Sequence, residues 1–319
     1  MRVALIGFGN VGRSFAHLVQ SKRAVFPFRI VGAHTRHGTI IDNAGLDAGA
    51  QLGPALPNVG EFLDRSRPEV VVEITTLNPE TGEPAISNIR DAMARGCHVI
   101  TANKGPIAHS YAALKEEARQ AGVEFRFEST VMDGAPVFNS VRNNLPGVKV
   151  LGFTGALNST SKVVIEAMRQ GKSMEDGIRE AQQAGVAEAD AGYDIDGWDS
   201  AAKTAALANV LMNAGVTPAD VERRGIRRLT NERVRELAAQ RKTVVLISRA
   251  RTTPEGIRLR VRAEVLDETD VIAAVRGTSN ILLLHTDLMG TVGTVSISPG
   301  VNQTAYGVFS DLVDIAKSL

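Results

Sequence analysis

The densest concentration of reactive side chains in this sequence runs from Glu188 to Lys203. Glu188, Asp190, Asp194, Asp196 and Asp199 place five carboxylates within twelve residues, and Lys203 follows. Carboxylates this close repel one another unless cations or polar ligand groups answer them. Asp199 and Lys203 are four residues apart at the start of a helical pattern, so they share one helix face. The stretch around them, Ala201 to Leu211, is apolar and alanine-rich, the pattern of a buried helix. A lysine beside such a face, oriented by carboxylates, is suited to give and take a proton. The same spacing also makes an ordinary ion pair next to an exposed loop, although that use needs neither Trp198 nor this charge density.

A second cation, Lys104, stands in Ile100-Thr-Ala-Asn-Lys-Gly-Pro106, directly after a strand-like run. Thr75 and Thr76 end another such run, Val70–Ile74. The carboxyl ends of parallel strands line ligand crevices, so all three fall on one crevice edge. Near the amino end, Val3-Ala-Leu-Ile6 leads into Gly7-Phe8-Gly9-Asn10-Val11-Gly12 and then a helical pattern. Gly7 permits the tight turn, Gly9 lets backbone approach a pyrophosphate, and Gly12 allows close helix–strand packing. Glycine clusters also make ordinary turns, but the strand before and the helix after point to a dinucleotide. After the second strand the chain reads Ala33-His34-Thr35-Arg36-His37-Gly38, with no acid before Asp42 to hold a ribose 2′-hydroxyl. Arg36 offers a fork to a 2′-phosphate, which favours NADP over NAD; a solvated loop arginine is the other reading. His34 and His37 read as loop residues near that phosphate, and His98 and His285 as strand residues.

These groups need a scaffold. Over the first 150 residues, strand-like runs at Val3–Ile6, Phe28–Ala33, Val70–Ile74, His98–Thr101, Val123–Phe127 and Lys149–Phe153 are interleaved with helical patterns at Val11–Ser21, Pro84–Arg95 and Ser110–Ala121. That alternation predicts a parallel sheet with helices on both faces. Residues 159–240 then read mostly as helices, and 243–297 as strands (Thr243–Ser248, Ile257–Val265, Ile281–His285, Thr291–Ile297), before a closing helix over Gln303–Lys317. The expected fold is α/β: a Rossmann dinucleotide-binding domain over 1–130 plus 301–319, with an inserted α+β catalytic and dimerisation domain over 131–300.

Composition narrows the partners. Thirty-six Lys and Arg against 35 Asp and Glu give a net charge of +1, which offers no field for nucleic acid or an anionic membrane surface. No apolar run approaches the ~20 residues that span a bilayer, and no signal-peptide pattern precedes the first strand. The single cysteine, Cys97, fits a reducing, cytoplasmic compartment. No Cys/His metal spacing is present. A small-molecule substrate is the expected partner.

Together these motifs resemble the homoserine dehydrogenase family across nearly the whole chain. The resemblance rests on the Gly7–Gly12 turn, Glu73–Pro84, Thr101–Lys104, Gly155–Thr160, Glu188–Lys203 and Thr304–Asp311. It implies NAD(P)-dependent interconversion of aspartate 4-semialdehyde and homoserine, with Lys203 as proton donor and acceptor. Asp199 and Glu188 would hold the substrate's amino group or hydroxyl, Asp194 would support the cluster, and Lys104 would assist. Gly300 would border the cofactor. The family often carries sodium on a loop matching Glu128, Val131, Asp133 and Ala135, where a carboxylate and carbonyls suit a hard cation; the same loop also serves without an ion. A homodimer paired through the edge of the 243–297 strands would follow.

The chain departs from the family pattern at Val131–Gly134, at Asn158-Ser-Thr-Ser-Lys162 and at Ser298–Gln303. A dehydrogenase of another small hydroxy or amino acid, and a non-catalytic dinucleotide sensor, are the alternative readings. Lys203, Asp199, Glu188 and Lys104 argue against a sensor. An aspartate-semialdehyde dehydrogenase would need a thiolate that Cys97, read as a packed residue before a strand, does not supply. The length leaves no expected room for a regulatory domain.

Overall fold

Runs of β-branched residues without a polar break form the centre of the first sheet, because both of its faces are covered. The computed structural model describes residues 1–187 and 190–319. The chain divides into two units, Met1–Asn139 with Gly300–Leu319, and Ser140–Pro299.

The first unit contains β1 (Arg2–Ile6), α1 (Asn10–Ser21), β2 (Arg29–Thr35), β3 (Gly38–Ile41), α2 (Val59–Ser66), β4 (Val70–Glu73), α3 (Ala85–Met93), β5 (His98–Thr101), α4 (Lys104–Ala121) and β6 (Phe125–Arg126). Its sheet order is β3-β2-β1-β4-β5-β6. All neighbours run parallel except β3, which turns back antiparallel on β2. Strand order reverses at β1, and such switch points open the crevice in which dinucleotides lie. Val3, Leu5, Val70, Val72 and Ile100 are fully buried beneath Phe15 and Ala16 of α1. Cys97 is buried, its thiol donating to the Pro68 carbonyl at 3.3 Å. A short 3-10 turn, Glu128–Thr130, follows, and α5 (Phe138–Asn144) carries the chain out of the unit.

The second unit holds β7 (Val150–Ala156), α6 (Ser159–Arg169), α7 (Met174–Gln183), α8 (Gly192–Ile195), α9 (Trp198–Met212), β8 (Glu222–Arg224), α10 (Asn231–Ala239), β9 (Lys242–Thr253), β10 (Gly256–Asp267), β11 (Asn280–Thr286) and β12 (Thr291–Ser296). Its sheet order is β12-β11-β7-β9-β10-β8. Val244, Leu246, Ala250, Leu259 and Val261 are buried on one face, and α6, α9 and α10 contact β9. Helix α11 (Val301–Ser318) then returns to the first unit. It buries Val308, Phe309, Leu312 and Ile315 in the core shared with Phe15 and Val19. Full burial of such side chains is worth about 1.5–3 kcal/mol each, enough to dock a helix so distant in sequence.

The α/β class and the amino-terminal dinucleotide-binding fold are those expected, but four local readings are corrected. The strand near Lys149–Phe153 belongs to the second sheet, where β7 runs antiparallel between β9 and β11. Its apolar run would suit either sheet; its partners decide. Hairpin strand β3 and helix α2 were not anticipated, because the β2–β3 turn resembles a loop and α2 is only 8 residues long. The helix expected from Ser110 begins at Lys104, with a kink at Ser110. His34 is no loop residue: it lies in β2, 7% exposed, sharing a 2.7 Å hydrogen bond with Thr39 and stacked on Phe62. No described helix is long and apolar enough to cross a membrane.

Candidate active site

The glycine turn after β1 has the shape its sequence calls for. Gly7 adopts φ 105°, and a Cβ there would lie 2.5 Å from the Ile74 carbonyl oxygen, so no other residue fits. A Cβ on Gly12 would crowd Ile74 Cδ1 at 3.1 Å and the Gly7 carbonyl at 3.2 Å. Gly9, by contrast, faces open space, with no atom within 4 Å of where its Cβ would be. Gly9 is the N-cap of α1 and supplies no capping side chain, so the first N–H groups, from Asn10 and Val11 onward, keep their positive ends available. Phe8 is buried beneath the Arg13 guanidinium, 4.6 Å from its ring centre. This cradle fits a dinucleotide's phosphates. Gly300 caps α11, and Asn302 on that helix accepts a hydrogen bond from Ser14 of α1 at 2.8 Å, which sets Gly300 beside the cradle. Arg36 is exposed in the β2–β3 turn, its Nε donating to His37 Nε2 at 2.8 Å.

A fully buried carboxylate organises the crevice edge. Glu73, the last residue of β4, accepts hydrogen bonds from the Thr75 N–H at 3.0 Å, from the Thr75 hydroxyl, and from the Thr101 hydroxyl at 3.0 Å. Burial pushes its carboxyl up despite these donors. Thr101 Oγ1 in turn accepts the Asn103 N–H at 3.0 Å, and Asn103 caps α4 by accepting from the Gly105 N–H at 3.0 Å while donating to the Thr75 carbonyl at 3.3 Å. Lys104, the first residue of α4, is therefore fixed to the Thr75 loop by a chain of bonds leading back to Glu73. Thr76 is exposed on the same edge. The sequence showed Lys104 and the threonines; Glu73 was missed, although an acid ending a buried apolar strand is the signal.

In the second unit, Lys203 and Asp199 do share one face of α9. Lys203 Nζ lies 3.1 Å from Asp199 Oδ2 and donates to the Leu157 carbonyl at 2.7 Å. Asp194, on α8, joins them through Asn158, whose Nδ2 donates to Asp194 Oδ1 at 2.6 Å and to Asp199 Oδ2 at 3.0 Å. Thr160 Oγ1 donates to the other Asp194 oxygen at 2.8 Å. Burial first, and then the neighbouring Asp199 charge, hold the Asp194 carboxyl above its ordinary range. Two of the five acids do other work: Asp196 forms a 2.6 Å ion pair with exposed Arg227, and Asp190 accepts the Gly192 N–H. Glu188 lies outside the described residues. A charged amine beside carboxylates can exchange a proton with a substrate oxygen while the acids bind a substrate cation.

Comparison with known proteins decides the family. Residues 7–128 match the homoserine dehydrogenase NAD-binding domain, and residues 136–313 match the homoserine dehydrogenase domain. The chain belongs to the homoserine dehydrogenase family. An NAD(+)-dependent homoserine dehydrogenase of Pseudomonas canavaninivorans is 33% identical, over 99% of this chain and 96% of its own. The Methanocaldococcus jannaschii homoserine dehydrogenase is 32% identical over 100% and 99%. Among solved structures, the Thermoplasma acidophilum homoserine dehydrogenase superposes with a TM-score of 0.87 at 26% identity, covering 99% of both chains. A hyperthermophilic archaeal homoserine dehydrogenase in complex with NADPH does so with 0.84 at 26%, covering 100% of this chain and 98% of that one.

Within this homoserine dehydrogenase site, the segment that departs from the family pattern supplies two residues the sequence reading passed over. Asn158 both caps α6, accepting from the Ser161 N–H at 2.8 Å, and bridges the two carboxylates. An Asn directly before a helical run is the available signal. Lys162 is buried, with Nζ donating to the Ala156 carbonyl at 3.2 Å and Asn280 Oδ1 at 3.0 Å.

The loop matched to the family's sodium site is built around Glu128, which is 2% exposed. Its carboxylate accepts the backbone N–H groups of Val137 at 2.6 Å, Phe138 at 2.9 Å and Asn139 at 2.5 Å, and so caps α5. The Ala135 carbonyl accepts from the Val137 N–H at 2.9 Å. Val131 is buried, and Asp133 sits at φ 58° with its carboxylate 3.5 Å from the Thr304 hydroxyl. Three N–H dipoles aimed at one carboxylate hold it ionised and fix it at the head of α5.

Proposed function

We propose that this chain is an NAD(P)-dependent homoserine dehydrogenase that interconverts L-aspartate 4-semialdehyde and L-homoserine, serving threonine and methionine biosynthesis. Family membership supports the activity, and one observation carries the mechanism: a lysine ammonium paired with the buried Asp199, which a helix-capping asparagine links to Asp194. The nicotinamide, when bound, gives or takes the hydride. Gly7–Gly12, Thr75, Thr76, Lys104 and Gly300 hold the cofactor. Lys203 gives its proton to the aldehyde oxygen in reduction and recovers it from the hydroxyl in oxidation. The Leu157 carbonyl and Asp199 keep its ammonium oriented. Asp199 and Glu188 bind the substrate's amino group or hydroxyl, Asp194 supports Asp199 through Asn158, and Lys104 assists at the substrate.

Arg36 and the lack of an acid beside it support a preference for NADP, even though one relative is named NAD(+)-dependent. Sodium enters this reading only through the family resemblance; a sodium ion would rest on the loop of Glu128, Val131, Asp133 and Ala135, and no step passes through it. Edge strand β12, with Val295 48% exposed, supports a homodimer by strand pairing. The unpaired Cys97 supports a cytoplasmic location. The test is cofactor turnover with homoserine and, in reverse, with aspartate 4-semialdehyde, each with NAD(H) and NADP(H). Turnover with both substrates is expected, faster with NADP(H). Purified protein that turns over neither would refute the assignment.

A further inference from the structure

The turn from β7 into α6 carries the acceptor for Lys203, and a side chain answers each of its carbonyls. Lys203 Nζ donates to the Leu157 carbonyl at 2.7 Å, and Ser161 Oγ to the Asn158 carbonyl at 3.0 Å. The carbonyl before them, that of Ala156, accepts from Lys162 Nζ at 3.2 Å. Lys162 is the fourth residue of α6, and a helical side chain leans toward the helix start, so its ammonium reaches back to the turn. It also donates to Asn280 Oδ1 at 3.0 Å, on the first residue of β11. Ser159 Oγ adds a bond to the Thr278 carbonyl at 3.1 Å. Two side chains thereby tie the turn to residues 278–280, beyond the ladder pairing of Ala156 with Ile281.

Lys162 is 8% exposed and Asn280 3%. An ammonium so buried is costly, and a methionine would fill the same space without that cost, so core packing alone does not account for a lysine here. What the ammonium holds is the peptide next to the acceptor of Lys203. The direction of the Leu157 carbonyl sets where the Lys203 ammonium points, and that carbonyl can swing unless the peptides on both sides of it are fixed. Asn158 fixes one side, through its helix cap and its bonds to Asp194 and Asp199. We propose that Lys162 fixes the other and is a positioning residue for the dehydrogenase reaction, acting through the Leu157 carbonyl on Lys203. The proposal rests on the proton-transfer role given to Lys203 under the proposed function.

The test is a double-mutant cycle on the full chain, combining Lys162→Met with Lys203→Met. Alone, Lys162→Met should lower kcat for homoserine about 10- to 100-fold, the effect of a reacting group displaced by roughly 1 Å. KM and the dissociation constant of NADP(H) should stay unchanged. In the Lys203→Met background the same substitution should alter the residual turnover by less than about twofold, because the group it positions is gone. Asn280→Ala, which removes only the second anchor, should show the same split at smaller amplitude, and it serves in place of a methionine variant that does not fold. A parent-like kcat in folded Lys162→Met overturns the proposal. So does an equal loss in both backgrounds, which would make Lys162 part of the general scaffold. A readout without substrate separates this proposal from the assigned activity: the rate at which acetic anhydride acetylates Lys203, followed by mass spectrometry. Lys162→Met should raise that rate severalfold, even in a parent inactive on homoserine; an unchanged rate overturns the proposal whatever the substrate.

Discussion

Asn158→Ala removes two things at once, and their sizes can be separated. The amide oxygen caps α6 through the Ser161 N–H at 2.8 Å, and the amide nitrogen donates to Asp194 and Asp199 at 2.6 and 3.0 Å. Loss of an N-cap costs about 1 kcal/mol. Each hydrogen bond to an ionised group is worth about 1.5–3 kcal/mol, and the lower figure applies where water can enter the vacated space. The alanine variant should therefore lose about 4 kcal/mol, read as a drop in the urea midpoint of the second unit's unfolding. Serine caps helices about as well as asparagine but cannot reach across to both acids, so Asn158→Ser should still lose about 3 kcal/mol. Without the bridging amide, Asp194 and Asp199 repel each other directly and draw on Lys203, so both variants should lower kcat while leaving the dissociation constant of NADP(H) unchanged. Should Asn158→Ser instead match the parent in both stability and kcat, Asn158 is only a helix cap and the bridge has no functional weight.

Lys203→Met keeps the alkyl stem and removes the proton donor; turnover should fall by about 10²–10⁴, the usual worth of a positioned general acid, with cofactor affinity unchanged in fluorescence titration. Arg36→Ala should raise KM for NADP(H) at least tenfold more than for NAD(H), as expected for a lost phosphate–guanidinium contact; equal changes for both cofactors would remove the 2′-phosphate role. Glu73 has its carboxyl raised by burial, so the native state keeps a proton that the unfolded chain releases. Its presence therefore costs stability progressively as pH rises from the unfolded value of 4.5 through the folded value. Glu73→Gln should flatten the fall of unfolding free energy over that window, measured by urea titration at several pH values; an unchanged slope would place the burial cost elsewhere. Glu128→Ala, which uncovers three N–H groups at the head of α5, should lower the melting temperature.

The sequence by itself determined the amino-terminal cradle, because Gly7–Gly12 between a strand and a helix allows the positive φ of Gly7 and leaves Gly9 open, while the crowding of Gly7 and Gly12 comes from Ile74 after β4. It also determined the Asp199–Lys203 pair, since a four-residue spacing on a helix holds whatever the helix packs against. Tertiary structure decided the rest. Periodicity put Lys149–Phe153 in series with the first sheet while the boundary at 131 put it in the second domain; an apolar run carries no record of its partner, and only pairing with β9 and β11 decides. Five neighbouring acids looked equivalent, yet Asp196 turns to Arg227 while Asp194 turns inward, a division set by Asn158 and Thr160 from a helix more than thirty residues earlier. Only the fold brings three N–H groups from residues nine to eleven positions later against Glu128. Lys162 carries no signal in the sequence for the same reason: helical spacing does not show which carbonyl its ammonium reaches, and only the packed turn sets it one peptide away from the acceptor of Lys203.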